Sequence, residues 1–344
     1  MSYALSRFRL LALFLAVTPG ATAHAEWDAG MIARQRGDFA AAYRELRPEA
    51  DAGAADAQEI VGQMLAHGQG VGKDEKAAAD MFRSAAANGS VPGMLAFGTA
   101  ALRGIGMPRD EALGLHWLTR AATAGNPAAM LVLGNCHENA IGTPRNVLLA
   151  HQWFLKAAQG GSADGMLRLA DLLLSPTLGA NDDAAGMQWL TKAAEAGQTN
   201  AQSKLAAIFA AGGHGVPRDP AAAANWARKA AFKDHDSAGL LCRLYRDGME
   251  GAAPDNALAF RWCTAAAESG LPDAIVTLSA LYLDGKGTAG DPSAALYWAL
   301  IGTDRASGPA RQEAMRLRDA ATVKLSDGER EAVRARARAW HALP

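Results

Sequence analysis

Six tryptophans stand at a nearly fixed interval in this chain: Trp117, Trp153, Trp189, Trp226, Trp262 and Trp298, separated by 36, 36, 37, 36 and 36 residues. Self-similarity at such a period marks a solenoid, in which one unit cannot bury its apolar face without its neighbours. Met81 occupies the same slot one interval earlier, which makes seven units. A chain under this constraint is an array of small units.

Other residues repeat in phase with the ladder. Four residues after the Trp slot comes a small pair, as in Ala85-Ala86, Ala121-Ala122 and Ala157-Ala158. Eight residues after it stand Gly89, Gly125, Gly161, Gly197 and Gly270, suited to the left-handed residue that ends a helix; Asp234 replaces the glycine in the one interval of 37. Seven residues before the slot stand Asp74, Asp110, Asn146, Asp182, Asp219, Asp255 and Asp291, all preferred N-cap types. Pro220 and Pro292 follow two of them at the first helical position, where proline is tolerated. Each unit therefore starts a second helix there.

Ahead of that helix lies a glycine-rich turn, Gly68-Gln69-Gly70-Val71, Gly104-Ile105-Gly106, Gly213-His214-Gly215-Val216 or Gly285-Lys286-Gly287. Glycine takes the positive φ values of a reversal, and Val71, Ile105 or Val216 can plug the seam between helices. Before the turn, apolar residues recur at helical spacing, as in Ile60, Val61, Met64 and Leu65. Each unit reads as an αα-hairpin. The tryptophans read as wedge-filling core rather than as a stacking surface for sugars or bases.

The motifs at residues 213–231 and 274–298, an alanine-rich helix, Tyr-x-x-Gly-x-Gly, then Asp, Trp and Lys-Ala-Ala in part, resemble the Sel1-like repeat family, relatives of tetratricopeptide repeats. The resemblance covers about residues 55–306. Leu172-Leu173-Leu174-Ser175-Pro176 lacks the glycine turn, and Cys136-His137-Glu138-Asn139 replaces the Tyr region. Upstream, Gly37-Asp38-Phe39-Ala40 is similar to a tetratricopeptide second helix. The expected organisation is a leader over 1–25, an N-terminal capping hairpin over 26–54, seven repeats over 55–306 and capping helices over 307–344. The resemblance implies an all-α right-handed superhelix whose first helices form a concave face. Glu313 to Ala321 reads as a further helix, and Ser326 with Glu329 makes a capping-box start for a last one running towards Trp340.

Enzyme motifs are sparse. Gly68-x-Gly70-x-Gly72-Lys73 lacks the first glycine and the Ser or Thr of a phosphate loop, so it reads as a turn. Cys136-His137-Glu138 are consecutive on a helix and point apart, so no metal site is expected, and no cofactor. Cys242 sits on a first helix at the slot of Ser279, and Cys263 directly follows Trp262. They read either as a disulfide across the hairpin, which some Sel1-like relatives carry, or as two buried free thiols. Arg330, Arg334 and Arg338 form a basic stripe, read as a solvated face near a helix end with contact to an acidic partner as the alternative.

Arg7 and Arg9, the apolar run Leu10 to Val17 and the small residues Ala21 to Ala25 read as a secretory signal cleaved after Ala25. Eight apolar residues do not span a bilayer, so no stable membrane insertion is expected after cleavage. The formal charge is -1 and becomes -3 without the leader, which gives no electrostatic ground for nucleic-acid binding.

The expected function is a periplasmic, non-catalytic scaffold for protein partners of the cell envelope, monomeric, with Arg103, His137, Arg168 and Arg246 as first-helix candidates for partner contact. The resemblance also implies alternatives: a regulator of a sensor kinase, or a cell-wall or β-lactam-binding hydrolase.

Overall fold

The structure is a computed structural model that describes residues 19–176, 181–249 and 253–341, with side chains from residue 27. The apolar run of the expected leader lies outside the described residues. Eighteen α-helices follow one another among the described residues, with one isolated bridge, between Gly213 and Val216, as the sole extended pairing. They divide into two compact units, one ending at Gly160 and one beginning at Gly161.

The first unit stacks four hairpins: α1 (Pro19–Gln35) with α2 (Phe39–Asp51), α3 (Ala55–His67) with α4 (Glu75–Ala87), α5 (Val91–Arg103) with α6 (Glu111–Thr123), and α7 (Pro127–Asn139) with α8 (Val147–Gln159). The second continues with α9 (Ala163–Leu173) and α10 (Asp183–Glu195), α11 (Thr199–Ala211) and α12 (Pro220–Ala230), α13 (His235–Asp247) and α14 (Asn256–Glu268), and α15 (Pro272–Asp284) and α16 (Pro292–Arg305). It closes with α17 (Gly308–Thr322) and α18 (Asp327–Arg338). α17 begins well before Glu313, at a Gly-Pro pair, because proline is accepted in a first turn.

Local chemistry sets the hairpin boundaries. Asp74, Asp110, Asn146, Asp182, Asp219, Asp255 and Asp291 each accept a hydrogen bond from a backbone amide three residues on, capping the second helices. Gly125, after α6, has φ +89° with open space around its Cα, so conformation alone favours glycine there. Gly106 is needed for space as well: a Cβ there would lie 1.9 Å from the Glu75 carbonyl at the start of the preceding second helix. The turn of one hairpin is thus seated on the helix start of the hairpin before it.

Two helix crossings build the core. Within each hairpin, the eighth residue of the first helix is small: Gly62, Gly98, Gly134, Ala170, Ala206, Cys242 and Ser279. It faces the residue after the Trp slot. A Cβ on Gly134 would lie 2.4 Å from the Phe154 ring, and one on Gly98 would lie 2.9 Å from Leu118. The volumes are complementary, running from glycine against phenylalanine to alanine against alanine. Between hairpins, the small pair receives the next first helix, where a Cβ on Gly93 would lie 2.6 Å from that of Ala85.

The fully buried slot is therefore the one after the tryptophan. Leu118, Phe154, Leu190, Ala227, Cys263 and Ala299 are all buried, whereas among the ladder residues only Trp298 is, the other tryptophans and Met81 being half-buried. This corrects the reading of the ladder as wholly core. Four of the half-buried rings carry a cation from one turn later. Arg120 lies 4.4 Å from the Trp117 centroid, Lys156 4.6 Å from Trp153, Lys192 4.3 Å from Trp189 and Lys229 3.9 Å from Trp226. Each such contact is worth about 0.5–1 kcal/mol at an exposed site and covers the ring with the cation's methylenes.

Three further expectations are modified. Ile105 does not plug a seam; it is 40% exposed, with Met107 packed on the core in its place. Asp234 does not end α12 but caps α13, accepting from the Ser237 amide, so its interval carries an added residue in the turn and leaves Phe232 exposed. Arg330 is engaged with Asp327 at 2.7 Å and the Thr322 carbonyl at 2.9 Å, which removes one cation from the free stripe of α18.

Candidate partner-binding groove

In the second unit the first helices α11, α13 and α15 lie side by side and leave a groove of about 450 Å³ between α11 and α13. Small side chains open it on one wall: Ala207, Ala210 and Ala211. Charged ones line the other, with Asp236, Arg243 and Asp247 on α13. A second cavity of about 250 Å³ adjoins it between α13 and the following helices, bounded by Cys242, Leu271, Asp273, Thr277 and Arg305. Arg243 borders both cavities, and it makes no hydrogen bond or ion pair among the described residues.

A polar network fixes the walls. Ser203 on α11 donates to the Asp234 carboxylate at 2.7 Å, and Ser237 on α13 donates to the same oxygen through its hydroxyl at 2.5 Å and its amide at 2.9 Å. Burial pushes the Asp234 carboxyl up, but the hydrogen bonds from Ser237 and Ser203 outweigh it and hold the group below its ordinary value. The cluster ties α11 to the start of α13.

Arg246 bridges α13 to α15. It donates to Asp247 at 2.6 and 2.9 Å and to the Thr277 hydroxyl at 3.1 Å. The paired guanidinium in turn holds Asp247 below the usual carboxylate range. Arg243, whose charge also acts on Asp247, and Arg218, which donates Nε to the Ala210 carbonyl at 3.2 Å, are the other cations of the groove.

Of the four residues singled out from sequence, Arg103 and His137 lie in the first unit and Arg168 and Arg246 in the second. They occupy different registers of their helices: Arg168 is sixth, His137 eleventh, Arg246 twelfth and Arg103 last. Arg103 is exposed at the end of α5. Arg168 lies 3.8 Å from Asp171, which also pairs with Lys204 of the next hairpin. His137 is half-buried, its Nδ1 is buried without a hydrogen-bond partner, and burial holds its pKa down. Beside it, burial and then the Glu111 charge push the Cys136 thiol up to about 11. Among the described residues no three His, Cys, Asp or Glu side chains converge as a metal site would.

The Cys242 and Cys263 sulfurs are bonded, with Cα atoms 4.6 Å apart, at the crossing where other hairpins set glycine against phenylalanine. Sequence reasoning passed over Arg243, Ser203 and Ser237. The signal available for the arginine was its place in the ninth position of α13, where the flanking first helices carry Ala207 and Ala280.

The Sel1 repeat model matches seven consecutive segments: 55–90, 94–126, 127–162, 163–198, 199–235, 235–271 and 272–305. The chain belongs to the Sel1 repeat family. Sel1 repeat proteins are generally scaffolds for protein–protein interaction, typically non-catalytic. Among solved structures, a Sel1 repeat protein from Oxalobacter formigenes is similar, with a TM-score of 0.63 at 24% identity over 70% of this chain and 98% of that one. The protective antigen c5321 of uropathogenic Escherichia coli, which displays an SLR fold, is 22% identical over 92% of this chain and 83% of its own, with a TM-score of 0.39. No curated protein matches. No described helix is long and apolar enough to cross a membrane.

Proposed function

We propose that this Sel1 repeat protein is an exported scaffold of the bacterial cell envelope that holds a carboxylate-bearing segment of a protein partner along α11, α13 and α15. The observation that carries the reading is Arg243, an unpaired guanidinium shared by two adjoining cavities. Arginine grips a carboxylate through two parallel hydrogen bonds, and the small alanines opposite leave room for an extended chain. Export is supported by Arg7, Arg9, the apolar run Leu10 to Val17 and the alanines before Glu26. The bonded Cys242 and Cys263 support an oxidising compartment, since cytosolic thiols are kept reduced. The protein acts as a monomer in this reading, because a groove within one chain needs no second copy.

The test places a photocrosslinking residue at Ala207 in the full-length protein in living cells, with Gln188, exposed on α10, as the control position. The expected result is a small reproducible set of envelope proteins captured from 207, absent from 188 and lost when Arg243→Glu is added. Identical capture from both positions, or capture indifferent to Arg243→Glu, refutes the groove. Fractionation with N-terminal sequencing checks export, the expected mature chain beginning at Glu26; an intact leader in the cytoplasm refutes it.

A further inference from the structure

The first unit carries an apolar cavity of about 450 Å³, far in sequence from the groove. Phe97, Met107, Leu113 and Trp117 supply its walls, and Ala79 of α4 lies among them. A missing side chain explains it. The fifth residue of a second helix can reach the glycine turn of the next hairpin: in α6 it is Leu115, whose Cδ1 lies 3.0 Å from the place of a Cβ on Gly142. The same position in α4 is Ala79, and the nearest atoms to Gly106 are backbone of Glu75 and Lys76. The space that Leu115 fills beside Gly142 is left open here. Outside it, Ile105 stands 40% exposed beside Gly106 in the chain.

The rim has a charge the protein does not use. Asp80 and Arg83 pair with each other at 2.7 Å, while Lys76 is exposed and makes no ion pair among the described residues. We propose that this pocket docks one apolar side chain of a protein partner, phenylalanine or leucine, from a segment whose neighbouring residue sets a carboxylate on Lys76. Buried aromatic and aliphatic anchors in preformed pockets supply most of the affinity at interfaces, and a rim charge selects the partner and its register. The inference rests on the family's protein-binding character and is independent of the groove on the second unit.

Short probes suit a single anchor. Acetyl-Phe-Glu-amide, acetyl-Phe-Gln-amide and acetyl-Ala-Glu-amide are titrated into full-length protein with carbon-13 methionine methyls, the Met107 signal being assigned by Met107→Leu. The Phe-Glu probe is expected to shift Met107 saturably at millimolar concentration, the Phe-Gln probe to bind at least threefold more weakly, and the Ala-Glu probe to give no shift. Ala79→Leu, which fills the space as Leu115 does at its own turn, removes the shift. Lys76→Glu turns the preference towards acetyl-Phe-Lys-amide, and Gln188→Ala, exposed on α10, leaves probe binding unchanged. No saturable shift with Phe-Glu, unchanged binding by folded Ala79→Leu, or unchanged preference in Lys76→Glu each overturns the proposal. Saturation by octanoate without response to Phe-Glu overturns it in favour of a lipid chain. Should Ala79→Leu fail to fold, the Lys76→Glu preference decides alone.

Discussion

Reducing the Cys242–Cys263 bond is expected to weaken the sixth repeat alone, by an amount set by the chain it closes. The two residues are 21 apart, and closing a loop of that length in the unfolded chain costs entropy equivalent to about 3 kcal/mol at 25 °C. The folded state offers a way to separate this from packing. In the seventh repeat the same crossing holds Ser279 against Ala299, and Ser279 donates to the Ala295 carbonyl at 2.8 Å. Ala259, fully buried, is the counterpart of Ala295. A Cys242→Ser, Cys263→Ala variant therefore copies a neighbouring solution to the same crossing. Because solenoid repeats open semi-independently, the readout is native-state hydrogen exchange of α13 and α14 rather than a global midpoint. Reduced protein and the double variant are both expected to lose about a hundredfold in protection at the slowest amides of that hairpin, with α3 to α6 unaffected. Equal protection before and after reduction refutes the loop-closure reasoning. A double variant far less protected than reduced wild type shows that sulfur packing, not chain entropy, carries the effect.

Two smaller predictions probe other crossings and buried groups. Gly134→Ala gains helix propensity but drives a methyl into the fully buried Phe154 ring, so chemical denaturation is expected to show a loss of about 1–3 kcal/mol, whereas Gly328→Ala in α18, with open space around it, is expected to stabilise by about 0.5–1 kcal/mol. His137 stands at the helix position of Tyr245 and Tyr282, and burial holds its pKa down. Its folded pKa lies below its unfolded value near 6.5, so its stability contribution is complete above that pH and declines as pH falls below it. His137→Tyr is expected to flatten thermal stability between pH 7 and 5, and an unchanged slope refutes the assignment.

The hairpins, their number and their caps were legible because each depends on a residue type recurring in phase, which local chemistry can specify without distant contacts. Asp110 caps α6 in the structure as its spacing implied, and Ser326 with Glu329 makes the capping box of α18. Burial within the ladder was less legible. Tryptophan is the conspicuous repeated residue, yet Leu118 and Phe154, one position on, are the deeper ones, since a helix turns by about 100° per residue and the ring edge meets solvent. Arg120, Lys156, Lys192 and Lys229, three residues after their tryptophans, were a readable sign of a half-exposed ring. Within the second unit, Arg168 and Arg246 face different ways because they stand at the sixth and twelfth positions of their helices.

The period, the caps and the glycine turns determined by themselves that this chain is a stack of αα-hairpins, because these signals act over one or two helical turns. Tertiary structure decided where a partner has room. The groove at Arg243 depends on alanines of α11 lying opposite charged residues of α13, and the pocket at Trp117 depends on Ala79 being one methyl where α6 carries Leu115. Cavities are differences between neighbouring side-chain volumes across separate helices, and only packing brings those volumes into comparison.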